Sequence, residues 1–445
     1  MNQFSRTSAS IVSGEVSHWL FVPTLRALHL LLESPSYLVI MTLAVMLLRP
    51  PDVQFYWIDR IALSALLFVV ILRALLLRQS LDWGIRVSLP LAALTGLGLW
   101  SMLSQPYEPE LWSVFAAKWV VPFILFHIAG NAFQNGESFR QLETFLLLVL
   151  VYLAAIAILF LSGATSIIFP EYILDEGLGI HIDRARGPFL NAVANGVTLN
   201  CLGLVALDSF RRRRLRGFPA LLLLAAVPLS ILATKTRTVW IAFTASIVLL
   251  AVFSPSLRLR GACRALLLVG GLCTLAALSF SDVRTSLADR LREREPLEFR
   301  RDMYQAGWAM FLEKPFIGWS SNSIQSELSK RVPDFQPERF IFHSTYIEIA
   351  VEDGAVGVAL YAWLMIDLLR LGKRNEGNAT GNAHFLDGQF HVIWQLLLIV
   401  YLVNASFVVM SYQFVNGLLF TIAGILATQK RVLASANRMI SLKEI

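Results

Sequence analysis

The sequence predicts an all-α, polytopic integral membrane protein: one helical domain over residues 1–445 with about twelve transmembrane helices. Three observations carry that prediction. Hydrophobic residues make up 56% of the chain and the mean hydropathy is +0.61. Charged residues make up only 16%, against roughly 25% in an ordinary soluble domain. Finally, apolar runs near the roughly twenty residues needed to cross a bilayer recur at 36–48, 61–77, 87–103, 111–129, 145–163, 190–210, 218–233, 239–253, 265–280, 345–369, 390–409 and 416–429.

Lys and Arg in the connections set the expected orientation, because positive charge in short loops stays cytoplasmic. With both termini in the cytoplasm, 20 of the 38 basic residues fall on that side, including the run "RRRRLR" at 211–216. The short loops of the other side hold six: Arg49, Arg60, Arg184, Arg186, Lys235 and Arg237. Phe55, Tyr56, Trp57, Trp100, Trp112 and Trp240 fall near that outer interface, where amphipathic rings prefer to sit. The net charge of +7 is thus a topology signal, and no nucleic-acid partner is expected.

Cys201, Cys263 and Cys273 lie in or beside predicted spans without metal-ligand spacing and read as small buried hydrophobes. Residues 1–35 lack the design of a cleavable signal peptide. Their stretch "HWLFVPTLRALHLLL" suits an amphipathic helix at the inner interface.

Two outward connections are long, 164–189 and 281–343, and chemistry outside the membrane is expected there. In the longer one, a helical segment between the ninth and tenth spans, Phe299, Met303, Ala306, Met310 and Phe311 recur at helical spacing up to Pro315. They describe an amphipathic helix able to lie along the membrane surface. After a turn at Gly318, "SSNSIQSELSKR" opens with capping residues and reads as a second, short helix.

Four outward sites carry chemistry-bearing residues. "HIDRARGPFLNAVANG" holds His181, Arg184, Arg186 and Asn191; "ATKTRTVW" holds Lys235 and Arg237; "EFRRDMYQAGW" holds Arg300 and Arg301; and His343 precedes the tenth span. Each has an ordinary reading as well: interfacial anchoring for Arg184 and Arg186, snorkelling for Lys235 and Arg237, ion pairs with Glu298 or Asp302 for Arg300 and Arg301, and a loop hydrogen bond for His343.

Thr345 with Glu348 three residues on has the form of a capping box. Glu352 and Asp353 then fall about two turns inside the helix, roughly 10 Å deep at 1.5 Å per residue, where a charge needs a partner or a wet cavity. The outward arginines are candidate partners. Lys118 lies at similar depth in the fourth span. Arginines suit phosphate oxygens, and histidine suits general-base work at neutral pH. Attack of a hydroxyl on a phosphate-activated carbon fits this set. No pair of carboxylates has the spacing of a divalent-metal site, and no cofactor is expected.

The order "RARGPFLN", "KTRTVWIAF", "RRDMYQAGWAMFLEKPFIGWSSNS" and "HSTYIEIAVEDGAVGV" resembles the O-antigen ligase and polymerase family. It carries an Arg-x-x-x-aromatic element, a Pro-x-x-Gly element, and a block represented here by His343, Tyr346, Glu352, Gly354 and Gly357. The resemblance implies a GT-C-like bacterial inner-membrane glycosyltransferase with its active site facing the periplasm and no metal. The implied donor is O-antigen polysaccharide on undecaprenyl pyrophosphate. In the ligase branch the acceptor is a sugar hydroxyl of the lipid A core, and transfer inverts the anomeric centre.

Carried over, His343 is the general base and Arg237 and Arg300 contact the pyrophosphate, with Arg184, Arg186, Arg301 and Lys235 as further substrate-binding candidates. The chain departs from the family where "NAVAN" replaces Asn-Pro-Asn and where Ser344 follows the histidine in place of Asn. A polymerase or a protein O-oligosaccharyltransferase of the same family would use similar residues on another acceptor. A twelve-span transporter or lipid flippase is the rival from another class, and it predicts charge spread along a pathway rather than gathered on one face.

Overall fold

The structure, a computed structural model, describes residues 35–50, 52–76, 85–179, 182–278, 295–319, 321–332, 342–372 and 385–443. The amphipathic segment expected before residue 35, and His181, lie outside them. Among the described residues every regular element is helical. In chain order they are α1 (Pro35–Leu48), α2 (Tyr56–Leu76), α3 (Ile85–Leu103), α4 (Pro109–Ala132, with a π-helical turn at Ala116–Val120) and α5 (Gly136–Leu161). There follow α6 (Ala192–Arg211), α7 (Gly217–Ala233), α8 (Arg237–Phe253), α9 (Leu257–Leu278), α10 (Glu295–Glu313), α11 (Ser321–Ser329), α12 (Thr345–Leu371), α13 (Phe390–Ala405) and α14 (Gln413–Lys443).

Five of these helices are long and apolar enough to cross a membrane: Arg86–Leu103, Pro109–Ala132, Gly136–Leu161, Ala192–Arg211 and Thr345–Leu371. Four more are apolar but shorter: Pro35–Leu48, Gly217–Ala233, Arg237–Phe253 and Phe390–Ala405. One continuous core runs through the bundle, drawing Leu43, Leu125, Leu146, Leu202, Trp394 and Phe414 from α1, α4, α5, α6, α13 and α14. Helix α6 is its axis, with 89% of its apolar window buried. Its polar residues Asn195, Thr198, Asn200 and Asp208 are buried with it; most buried polar groups are held by partners, although the Asn200 amide has no hydrogen-bond partner among the described residues. Asn195 donates to the Ala185 carbonyl at 2.8 Å, and Thr198 to the Ala194 carbonyl one turn back at 2.7 Å.

Local sequence fixes the helix starts. Asn135 and Ser138 form a reciprocal capping box at α5. Asn191 caps α6, its Oδ1 accepting from the amides of Val193 (2.9 Å) and Ala194 (3.1 Å). The capping box expected at α12 is corrected: the N-cap is Ser344, whose hydroxyl accepts from the Ile347 amide. Thr345 instead bonds the facing loop, its hydroxyl donating to the Val408 carbonyl and accepting from the Met410 amide, each at 2.9 Å.

The apolar stripe of α10 is likewise not left for lipid. Met303, Ala306 and Met310 pack with Ile324 and Leu328 of α11 and with Phe342 and Val351, forming a second small core. What α10 and its following turn expose is the other apolar edge, Trp308, Leu312, Phe316 and Ile317.

At one end of the bundle the basic run after α6 is neutralised at close range. Arg211 pairs with Asp208 (2.8 Å) and Asp387 (2.6 Å), and Arg212 with Glu143 (2.6 Å) and Asp208 (2.8 Å). The opposite end collects the starts of α6, α8 and α12, helix α10, and the loop 406–412.

Candidate active site

His343 sits two residues before α12 with φ of 48°, a left-handed conformation that costs a non-glycine residue energy and is held by its surroundings. Tyr304 supplies one restraint, its hydroxyl lying 3.2 Å from the His343 carbonyl and 2.8 Å from that of Ser406. The imidazole meets Phe299 edge to face, with centroids 5.7 Å apart. Phe299 and Tyr304 belong to α10, so the helix that carries Arg300 and Arg301 is also the one that fixes His343.

Arg300 is half-buried over the Phe407 ring, 5.8 Å from its centroid. Burial, and secondarily the like charge of Arg237, hold its guanidinium below the usual range, with Tyr304 opposing. No ion pair joins Arg300 or Arg301 to Glu298 or Asp302 among the described residues. Arg300, Arg301, Tyr304, Gln305, Trp308 and Phe407 line an open cleft of about 470 Å³. Arg237 is the first residue of α8, whose N-cap Thr236 turns its hydroxyl to the Thr234 carbonyl (2.9 Å) and makes no side-chain cap. The positive end of that helix dipole therefore adds to the guanidinium charge beside the cleft.

Lys235 and Arg184 form a neighbouring pair on one carboxylate. Asp183 lies 3.5 Å from Lys235 and 3.8 Å from Arg184, and the Ala185 amide bonds the Ala233 carbonyl at 3.1 Å. Arg186 departs from its expected role. It is 1% exposed, and its Nε donates to the Ile173 carbonyl at 2.9 Å, its Nη1 to that of Leu178 and its Nη2 to that of Asp175. A guanidinium shut in by carbonyls organises the 164–189 loop and presents no surface to a ligand.

The deeper carboxylates also have an answer, and it is Lys118. Its ammonium lies 2.9 Å from Glu348 and 2.8 Å from Glu352, inside the bundle. The outward arginines are not their partners, and Glu348 belongs to this cluster rather than to a helix cap. A π-helical turn, Ala116–Val120, carries Lys118; such turns insert one residue, re-aim side chains and recur at functional sites. The Ala117 carbonyl of that turn accepts from the Asn416 amide at 2.9 Å.

Helix α12 is broken just beyond these carboxylates. Gly354 has φ 64° and ψ −159°, a region open in practice to glycine alone. The loop after α10 is stitched into the gap: the Ala355 amide donates to the Pro315 carbonyl and the Trp319 amide to the Val351 carbonyl, each at 2.7 Å. The fit is backbone to backbone. A Cβ on Gly354 would stand 2.4 Å from the Phe316 carbonyl, and one on Gly318 (φ 77°) 2.4 Å from that of Glu352. Pro315 to Gly318 and Glu352 to Gly357 are thus two halves of one joint. A discontinuous helix at membrane depth is tolerated where protein covers the freed backbone.

Sequence reasoning brought His343, Arg237, Arg300 and Arg301 forward, and they gather here. It missed Phe299, Tyr304 and Phe407; Tyr304 carried a signal, standing one helical turn after Arg300. No curated protein matches the chain. Residues 219–362, which span Arg237, α10, the Gly318–Gly354 joint and His343, match the family model described as O-antigen ligase.

Proposed function

We propose that the protein is an O-antigen ligase of the bacterial inner membrane, with about twelve spans of GT-C-like arrangement, both termini cytoplasmic and the His343 end facing the periplasm. The observation that carries this reading is Arg300, which lines the cleft on the helix that also fixes His343, and whose guanidinium is strained by burial and by the like charge of Arg237. An anionic group entering there relieves that strain, and a pyrophosphate offers oxygens to both. The match of residues 219–362 to the O-antigen ligase model supports a ligase- or polymerase-type glycosyltransferase activity.

In this reading the donor is O-antigen on undecaprenyl pyrophosphate, its lipid lying along the apolar edge of Trp308, Leu312 and Phe316. Arg237 and Arg300 hold the pyrophosphate, with Arg301, Lys235 and Arg184 at the rim, and Arg186 shapes the loop behind them. The His343 ring accepts the proton from a sugar hydroxyl of the lipid A core. The oxygen freed of that proton attacks the anomeric carbon from the face opposite the pyrophosphate. The carbon–oxygen bond to pyrophosphate breaks with its electron pair going to the leaving group, and the configuration inverts. Pyrophosphate is a stable leaving group, so positioning and electrostatics supply most of the acceleration. No step requires a metal; transfer by purified protein is expected to persist in EDTA, and loss rescued by magnesium or manganese would refute that.

The deciding experiment is the lipopolysaccharide of a His343→Ala strain. Bare lipid A core with undecaprenyl-linked polymer retained is the expected result. Normal long-chain lipopolysaccharide at normal protein level sinks the reading, and core carrying a single repeat unit in a null strain replaces it with a polymerase.

A further inference from the structure

The loop 406–412 contributes residues to two clefts. Phe407 faces the arginine cleft already described, while Ser411, Tyr412 and Gln413 line a second one of about 190 Å³ with Arg49, Tyr56 and Ser113. His343 is stitched to this loop, through Tyr304 at Ser406 and through Thr345 at Val408 and Met410. Both clefts therefore border the loop to which the His343 segment is tied, and a two-substrate transfer needs two binding sites.

The second cleft has its own cation. The Arg49 side chain is 12% exposed and stacks on Tyr56, 4.4 Å from the ring centroid. Asp59 lies 3.3 Å from its Nη1, yet Nε and Nη1 are buried without a hydrogen-bond partner. Arg60 flanks the same ring at 5.9 Å and adds a second positive charge beside it. Buried guanidinium donors left unmade are costly, and the hydroxyls and amide around this cleft are further donors for one anion. Tyr412 is held there by Asn191, the cap of α6; burial pushes its hydroxyl above the usual range, keeping it a donor.

We propose that this second cleft is a phosphate-recognition subsite, in which Arg49 with Ser113, Ser411, Tyr412 and Gln413 holds a phosphate carried by the acceptor glycolipid. The identity of the acceptor rests on the ligase reading; the affinity for phosphate does not. A charged hydrogen bond lost from such a site weakens binding by roughly tenfold or more.

The test uses full-length protein in detergent. Binding of lipid A core glycolipid, native or stripped of its phosphates, is compared in wild type, Arg49→Gln, Tyr412→Phe and Asp59→Asn, with phosphatidylglycerol as competitor. Arg49→Gln is expected to weaken native acceptor about tenfold or more and stripped acceptor hardly at all. Tyr412→Phe has a smaller effect of the same kind, and Asp59→Asn leaves native binding intact or tighter because it frees the cation. Equal weakening of both acceptors, or Asp59→Asn behaving as Arg49→Gln, makes Arg49 a structural partner of Asp59 and overturns the subsite. Displacement of native acceptor by equimolar phosphatidylglycerol assigns the cleft to lipid headgroups and also overturns it. If wild type binds as expected but transfers nothing from donor lipid, the ligase reading falls and the subsite stands. If it transfers but binds native and stripped acceptor alike, the subsite falls and the ligase reading stands.

Discussion

The two ends of the bundle use arginine in opposite ways. Beyond α6, Arg211 and Arg212 are each held by two carboxylates within 3 Å, and Arg212 is 2% exposed. Beside α10, Arg300 meets an aromatic face, a tyrosine and another arginine. Charge that is satisfied inside the fold supports stability, and charge left to repel its neighbour supports binding. The same residue type thus reads as mortar at one end and as a site at the other, and the distinction lies in the partners alone.

The largest expected effects test that distinction directly. Arg212→Ala strands Glu143 and Asp208 in the bundle and should cost about 3–5 kcal/mol of stability, the usual penalty for breaking a buried pair. Thermal unfolding in detergent would show it as a lower midpoint. Arg300→Ala should leave that midpoint within a few degrees and lower transfer by roughly 10²–10³, the scale for removing one preorganised donor at a developing charge. If Arg300→Ala instead unfolds the protein while Arg212→Ala is tolerated, the assignment of the two ends is reversed.

Lys118 sharpens the comparison because it lies close to the site but is paired like the far end. Lys118→Met leaves Glu348 and Glu352 buried together without their cation, and a loss of about 3–5 kcal/mol is expected. Adding Glu348→Gln and Glu352→Gln should restore most of it, and failure to recover would mean that the ammonium serves more than these carboxylates. Gly354→Ala acts on the joint next door. Its φ of 64° and the 2.4 Å approach of Phe316 leave no room for a Cβ; backbone strain of this kind costs about 1–3 kcal/mol. Proteolysis within 314–320 should quicken in that variant, and unchanged cleavage would show that the stitch does not depend on Gly354.

Much of this was legible. Hydropathy placed the helices because burial in lipid and burial in protein both select apolar residues, and the period of Met303, Ala306 and Met310 gave α10. The break in α12 was hidden, since "AVEDGAVG" continues the helical hydropathy on both sides and the gap is filled by a loop that arrives from Pro315 to Trp319. The partner of Lys118 lies 230 residues away in sequence, beyond any local pattern. Arg186 misled because its donors suit carbonyl oxygens as well as phosphate, and composition cannot tell the two apart. Arg49 read only as an outward charge until the structure set it on Tyr56 with donors unmade.

The smallest effect is expected at the rim, and it bounds the site. Lys235 is 45% exposed, with Asp183, itself 52% exposed, 3.5 Å away. An exposed pair of this kind contributes at most about 1 kcal/mol and is screened by salt. Lys235→Gln should therefore leave the unfolding midpoint unchanged and lower transfer less than about fivefold, with the difference from wild type shrinking as salt is raised. Arg237 is two residues further on, at the first turn of α8 beside Arg300, and Arg237→Gln should cost far more and keep most of its cost at high salt. Equal losses for the two variants would move the proposed donor site out of the cleft and onto the 234–236 turn, and the contrast between an end whose arginines pair with carboxylates and one whose arginine lines a cleft would have to be redrawn around Asp183.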